Sequence, residues 1–148
     1  MVNNVLYQFN LKTLNQSYIK NMFSSKIDNQ FIKFIKPEFV HADDRGSLTQ
    51  IVSKLKWAQV NYIDSKPSSI RGNHYHKFNR ELFFVIEGKF ILTLEFDSKK
   101  LVYEMIKNDI FIIEPLVRHS FEYLDDTKLI TMYDKGVELE NNKKDIEV

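Results

Sequence analysis

Arg71-Gly72-Asn73-His74-Tyr75-His76-Lys77-Phe78-Asn79-Arg80-Glu81-Leu82-Phe83-Phe84-Val85-Ile86-Glu87-Gly88 is the stretch on which the fold turns. Side chains alternate faces along an extended strand, so His74 and His76 are expected on one face with Tyr75 opposed to them. Glu81 precedes an unbroken apolar run, Leu82 to Ile86, which reads as the next antiparallel strand. A hairpin between the two returns its carboxylate toward the histidines. Gly88 then supplies the positive φ that a tight turn needs before a second apolar run.

Further along, Pro115-Leu116-Val117-Arg118-His119 follows the apolar run Ile110-Phe111-Ile112-Ile113 and opens the alternating stretch Ser120-Phe121-Glu122-Tyr123. Tyr123 shares strand parity with His119 and Phe121, which puts it on the inner face. The spacing His-x-His-x4-Glu-x6-Gly, followed by Asp109, Pro115 and His119, resembles the two signature motifs of the cupin superfamily. All four ligand positions of that pattern are filled, by His74, His76, Glu81 and His119.

Length and composition bound the rest. At 148 residues the chain suits one domain with a real core. A net charge of +1 and a pI near 7.9 give no electrostatic case for a nucleic acid polymer or an anionic membrane. There is no cysteine, hence no disulfide, and no apolar stretch of about 18 residues or signal-like start, so a cytoplasmic protein is expected. Twelve Phe and seven Tyr suit the half-buried surfaces of sheets.

Residues 1–30 carry Leu11, Leu14, Tyr18, Ile19 and Met22 at helical spacing, which predicts a short helical N-terminal extension ahead of a domain spanning 31–148. Phe31 to Lys36 is limited to a short strand by Pro37, His41 to Gly46 reads as a turn, and Ser47 to Ser53 and Trp57 to Ile63 read as strands. Asp64 to Ser69 is a polar loop. Strands follow at the histidine segment, Leu82–Glu87, Phe90–Phe96, Leu101–Ile106, Ile110–Glu114, Ser120–Leu124 and Lys128–Tyr133. The charged tail Glu138 to Val148 is expected on the surface. Many short strands, polar turns and no long intervening helix predict an all-β jelly-roll β-barrel.

The run Arg71-Gly72-Asn73-His74-Tyr75-His76-Lys77 resembles the Arg-Gly-x-His-x-His-Lys run of the sugar-nucleotide cupins that act as dTDP-4-keto-6-deoxyhexose 3,4-ketoisomerases. Asp44-Arg45-Gly46-Ser47-Leu48 is similar to the segment that opens both this group and the dTDP-4-dehydrorhamnose 3,5-epimerases. Gln59-Val60-Asn61 is similar to the epimerase strand before the histidine. Glu81 stands where ketoisomerases tend to carry glutamine, and Gln59 and Asn61 stand where they carry Arg and Tyr. The Arg-Gly-Asn-His-Tyr-His run is also similar to the cupin half of capsule-sugar enzymes that epimerise 4-keto sugars. The resemblance covers about Ile35 to about Asp134 and implies a cupin-type barrel acting as an isomerase or epimerase on a nucleotide-linked 4-keto-6-deoxy sugar, in surface-polysaccharide synthesis. It casts His74 as the base and Arg45, Gln59, Asn61, Arg71 and Lys77 as substrate contacts; His76, beside His74, and Tyr123, on the inner face, are further catalytic candidates. A homodimer is expected on the same resemblance, with Phe31 to Ser53 as the contributing segment.

Such chemistry starts by removing a proton next to a carbonyl, which needs a base titrating near neutrality and a positive or hydrogen-bonding group at the developing oxyanion. Two mechanisms stay open, because a histidine whose lone pair is held by a metal cannot accept a proton. In one, His74 and His76 move the proton without metal and Arg71 supports the oxyanion. In the other, His74, His76, Glu81 and His119 hold a divalent ion, of zinc, iron, nickel or manganese, that polarises the carbonyl, and Tyr123 or Tyr133 moves the proton. No organic cofactor is expected. A metal-dependent cupin oxygenase and a non-catalytic sugar-binding cupin are the competing readings.

Overall fold

Two facing antiparallel sheets hold the core, as a computed structural model that describes residues 23–148 shows. In chain order the strands are β1 (Ile32–Phe34), β2 (Phe39–Asp43), β3 (Gly46–Gln50), β4 (Gln59–Ser65), β5 (Ile70–His74), β6 (Glu81–Glu87), β7 (Lys89–Phe96), β8 (Lys99–Ile106), β9 (Ile110–Ile113), β10 (Arg118–Tyr123) and β11 (Thr127–Tyr133). One sheet runs β1-β9-β6-β11-β4 and the other β5-β10-β7-β8, while β2 and β3 form a separate hairpin. Among the described residues there is no α-helix, only a 3-10 turn at Glu140–Asn142, and no helix long and apolar enough to cross a membrane.

Alternation along the strands builds the interior. On β10, His119, Phe121 and Tyr123 are buried while their neighbours are half-buried; on β11, Thr127, Leu129, Thr131 and Tyr133 face inward in the same way. Phe83 of β6 stacks on Phe111 of β9 with ring centroids 4.9 Å apart and meets Phe121 of the opposite sheet at 5.0 Å. Such offset pairs add about 0.5–1.5 kcal/mol each beyond the area they bury. The apolar run of β6 has no polar alternates because both its faces are covered. Leu82, with Ile110 and Ile112, faces outward and is packed by Ile51, Val52 and Trp57 from the segment after β3.

The expected jelly-roll barrel is not closed: among the described residues no hydrogen-bonded ladder joins the edge strands of one sheet to those of the other. The chain crosses from β4 to β5 through a polar turn in which Ser68 adopts a φ of 66°, and β4 and β5 become edges of different sheets. Segment 41–46 is largely strand rather than turn, since β2 and β3 pair from Phe39–Gln50 down to Asp43–Gly46 and leave only Asp44 and Arg45 to reverse the chain. The helical spacing of Leu11, Leu14, Tyr18, Ile19 and Met22 lies outside the described residues. Residues 23–30 are irregular chain, docked by Ser24 on the backbone of Val102 and by Asn29 on the Tyr103 hydroxyl.

The charged tail is largely exposed, as expected, but it is docked on the rest of the chain. Asp145 is buried, and Glu147 exchanges backbone hydrogen bonds with Tyr75. This surface tail therefore also covers the chain just beyond β5.

Candidate functional site

The histidine segment is not a straight strand. β5 pairs with β10 through His74–His119 and Gly72–Ser120, so Asn73 is left over as a bulge, with a φ of 59°. Gly72 permits the close approach. A Cβ at this position would lie 2.7 Å from the His119 carbonyl oxygen, at a φ of 84°. The strand ends at His74, and His76 lies beyond it in an irregular segment. Even so, the two imidazoles converge, with ring centroids 5.0 Å apart, and His119 lies 4.8 Å from His74. One ring nitrogen from each of the three lies within 4.8 Å of the others.

Glu81, at the first position of β6, reaches into this cluster. Its Oε2 is 3.3 Å from Nε2 of His76 and 3.4 Å from Nε2 of His119, and its Oε1 accepts a 2.7 Å hydrogen bond from the Thr131 hydroxyl. The carboxylate is only 4 % exposed. The Glu81–His76 contact is close enough for an ion pair, yet neither Glu81 Oε2 nor His76 Nε2 has a partner in hydrogen-bonding geometry. Two buried polar atoms thus face each other without a hydrogen bond of good geometry. Buried polar atoms without partners are costly, and a cation is one means of satisfying both.

Burial and charge set the protonation states. Burial resists charging of Glu81, but His76, His119 and Thr131 outweigh it and hold the carboxyl below its usual range. Burial works against protonation of His76 as well, and there the Glu81 carboxylate and the Asp145 carbonyl win, so its affinity for a proton rises. His119, fully enclosed, is pushed down to about 4 chiefly by burial. Its Nδ1 faces the Val117 carbonyl at 3.0 Å, which sets the proton on Nδ1 and frees Nε2 toward Glu81. His74 is half-buried, and burial together with the neighbouring His76 lowers its proton affinity. At neutral pH it is a neutral imidazole.

These groups open onto a cavity of about 210 Å³ whose lining includes Arg71, His74, Glu81, His119, Tyr123 and Tyr133. Arg71 is held by a 2.8 Å hydrogen bond from Nε to Ser65 Oγ. Burial raises both tyrosine hydroxyls; Ser65 partly offsets this at Tyr123, whereas Glu81 adds to it at Tyr133. Both remain protonated donors at neutral pH.

Of the five expected substrate contacts, only Arg71 lines this cavity. Gln59 and Asn61 hydrogen-bond each other at 3.1 Å, and Gln59 also accepts from the Val137 amide at 2.9 Å. Lys77 pairs with Glu147 of the tail at 2.6 Å. Arg45 is at the tip of the β2–β3 hairpin, 83 % exposed and 2.5 Å from Asp43. Sequence reasoning missed Thr131, Ser65 and Asp145. For Thr131 a signal existed, because strand parity puts a hydroxyl on an otherwise apolar inner face between Leu129 and Tyr133.

The family described as polysaccharide biosynthesis C-terminal domain matches residues 41–146. No curated protein matches the chain. Among solved structures, a 3,4-ketoisomerase from Helicobacter canadensis has a TM-score of 0.64 at 19% identity, covering 75% of this chain and 87% of its own. The sugar 3,4-ketoisomerase QdtA from Thermoanaerobacterium thermosaccharolyticum, in complex with TDP, has a TM-score of 0.62 at 20% identity, with coverages of 72% and 82%. A dTDP-4-dehydrorhamnose 3,5-epimerase from Bacillus anthracis, with TDP and PPi bound, has a TM-score of 0.63 at 21% identity, with coverages of 74% and 77%. The likeness establishes a shared fold.

Proposed function

This chain belongs to the polysaccharide biosynthesis C-terminal domain family, and we propose that it is an isomerase or epimerase of a nucleotide-linked 4-keto-6-deoxy sugar, acting by proton abstraction next to the carbonyl. The observation that carries the reading is the cavity itself. A neutral, half-buried His74, the cationic Arg71 and two protonated tyrosines face one small space, in a fold shared with 3,4-ketoisomerases and 3,5-epimerases of such sugars.

His74 has the state a general base needs, with its lone pair available at neutral pH. Proton loss from carbon leaves an enolate, whose charge requires donors already in position. Arg71, oriented by Ser65, is one donor, and the hydroxyls of Tyr123 and Tyr133 are the others, since both keep their protons. Either tyrosine can then return a proton to carbon or oxygen. Arg71 at the cavity wall also suits a diphosphate or sugar hydroxyl.

A divalent ion fits the cluster on chemical grounds. Three imidazoles and one carboxylate form a mixed N/O donor set suited to zinc, iron, nickel or manganese, and the partnerless Nε2 of His76 and Oε2 of Glu81 match a cation's need. His74, His76, Glu81 and His119 would hold it; with its lone pair so engaged His74 would no longer be the base, and Tyr123 or Tyr133 would move the proton instead. When bound, such an ion supplies Lewis-acid polarisation of a carbonyl.

A homodimer also fits. The β2–β3 hairpin leaves Phe39, Val40 and Leu48 exposed, and the edge strand β4 leaves Val60 and Tyr62 exposed, a pattern that asks for a covering partner. Light scattering that reports a monomer across a wide concentration range rules out a stable dimer.

The test of the reaction is exchange. Incubation with dTDP- or UDP-4-keto-6-deoxyhexose in deuterium oxide should introduce deuterium at C3, or at C3 and C5. His74→Asn should abolish this exchange and leave nucleotide-sugar binding intact. Absence of exchange with every such donor counts against an isomerase and favours a binding protein if the sugar still binds.

A further inference from the structure

The chain after β11 folds back over the segment that carries His76, and two buried polar side chains hold it there. Asn79, 1 % exposed, donates from Nδ2 to the Gly136 carbonyl at 2.9 Å and to Asp145 Oδ2 at 2.6 Å, and its Oδ1 accepts from the Lys135 amide at 3.1 Å. Asp145, likewise 1 % exposed, accepts from the backbone amides of Lys77, Phe78 and Asn79 at 2.8, 3.1 and 3.0 Å. Three successive amides converging on one carboxylate form an anion cradle, here occupied by the chain's own tail. The same residue makes a second kind of contact, because the Asp145 carbonyl accepts from Nδ1 of His76.

That second contact is what a turn cap alone does not need. Nδ1 of His76 is occupied as a donor, so the lone pair of the neutral ring is on Nε2, the atom that faces Glu81 at 3.3 Å. The carboxylate clamps the backbone immediately after His76 while the carbonyl orients its ring. We propose that Asp145 is a positioning residue, which uses its carboxylate to lock the 77–79 turn and its carbonyl to fix the tautomer and aim of His76. The inference rests on the reading above only in taking His76 as part of the functional cluster. A surface tail thereby becomes part of the site's architecture.

Chelator-treated full-length protein labelled with ¹⁵N-histidine provides the test. In the wild type, the His76 ring should show a proton on Nδ1 that exchanges slowly with solvent. Asp145→Ala should speed that exchange, and zinc affinity should fall by about 10–100-fold, the usual effect of losing an outer-sphere partner. Asp145→Asn, which keeps one acceptor oxygen of similar shape, should fall between the two. A wild-type His76 with no proton on Nδ1 overturns the proposal without any variant, so a substitution that fails to fold does not protect it. Unchanged Nδ1 exchange and zinc affinity in a folded Asp145→Ala overturn it equally. Neither readout involves a sugar: failure of the keto-sugar reading leaves them standing, and their failure leaves deuterium exchange in the wild type untouched.

Discussion

Thr131→Val is the substitution that most directly probes how a carboxylate survives inside this fold. Thr131 is almost fully buried, and its hydroxyl donates at 2.7 Å to Oε1 of Glu81. Valine keeps the shape and β-branching and removes only the donor. Glu81 Oε2 already lacks a partner in good hydrogen-bonding geometry, so the change removes the 2.7 Å hydrogen bond that Oε1 accepts in a buried position. A hydrogen bond to a charged group contributes about 1.5–3 kcal/mol, and we expect a loss of about 2 kcal/mol in chelator-treated protein, or a fall in Tm of about 6–10 °C for a chain of this size. The pH dependence identifies the cause. The folded-state pKa of Glu81 is held below its ordinary value, with Thr131 among the groups that lower it. Its ionised form therefore adds stability above the unfolded-state pKa, and that contribution is lost as pH falls through the folded-state value. The gap between wild type and Thr131→Val should be widest at neutral pH and shrink on acidification. Urea titrations across this range measure it, and Thr131→Ser should restore most of the loss. Equal stabilities at neutral pH, or a gap that ignores pH, would refute the claim that Thr131 stabilises an ionised Glu81.

Two further expectations concern the metal and the turn. Glu81→Gln removes the anionic oxygen that balances a divalent charge while nearly preserving shape, so tag-free protein should lose most of its metal by elemental analysis and keep its circular dichroism spectrum; full metal retention sinks the four-ligand assignment. Gly88→Ala places a methyl 2.3 Å from Thr127 Oγ1 and 2.5 Å from the Asp126 carbonyl at a φ of 94°. It should destabilise the fold by at least about 2 kcal/mol, combining left-handed strain with displacement of backbone, and a denaturation midpoint equal to wild type contradicts that geometry.

Much of the sheet architecture was legible because strand periodicity is a local signal. The alternation at Ser120-Phe121-Glu122-Tyr123 and the paired runs either side of Gly88 need only neighbouring residues to be read, and β10, β6 and β7 follow from them. Closure was not legible. Whether β4 and β5 complete one barrel or become edges of two sheets depends on ladders between strands, and the side-chain pattern is the same in both cases. The hairpin at Asp44 and Arg45 was read as a longer turn because its polar residues continue into β2, where exposure on both faces removes the alternation that marks a strand.

The site divides along the same line between local and distant. Short spacing marks His74, His76 and Glu81, the cupin-like second motif marks His119, and all four converge. Strand alternation does not account for His76, since β5 ends at His74 and His76 lies in the irregular segment beyond it. What holds His76 in place is Asp145, sixty-nine positions away and embedded in a run of charges that reads as solvated tail. A charge run suggests exposure because each member alone prefers water. One member changes class when three amides and an asparagine offer it better partners than water does, and only the folded chain brings those donors together. The same dependence applies to Lys77, which pairs with Glu147 of that tail at 2.6 Å. The tail thus contacts both His76 and Lys77, so the surroundings of the histidine segment include residues that its motif does not contain.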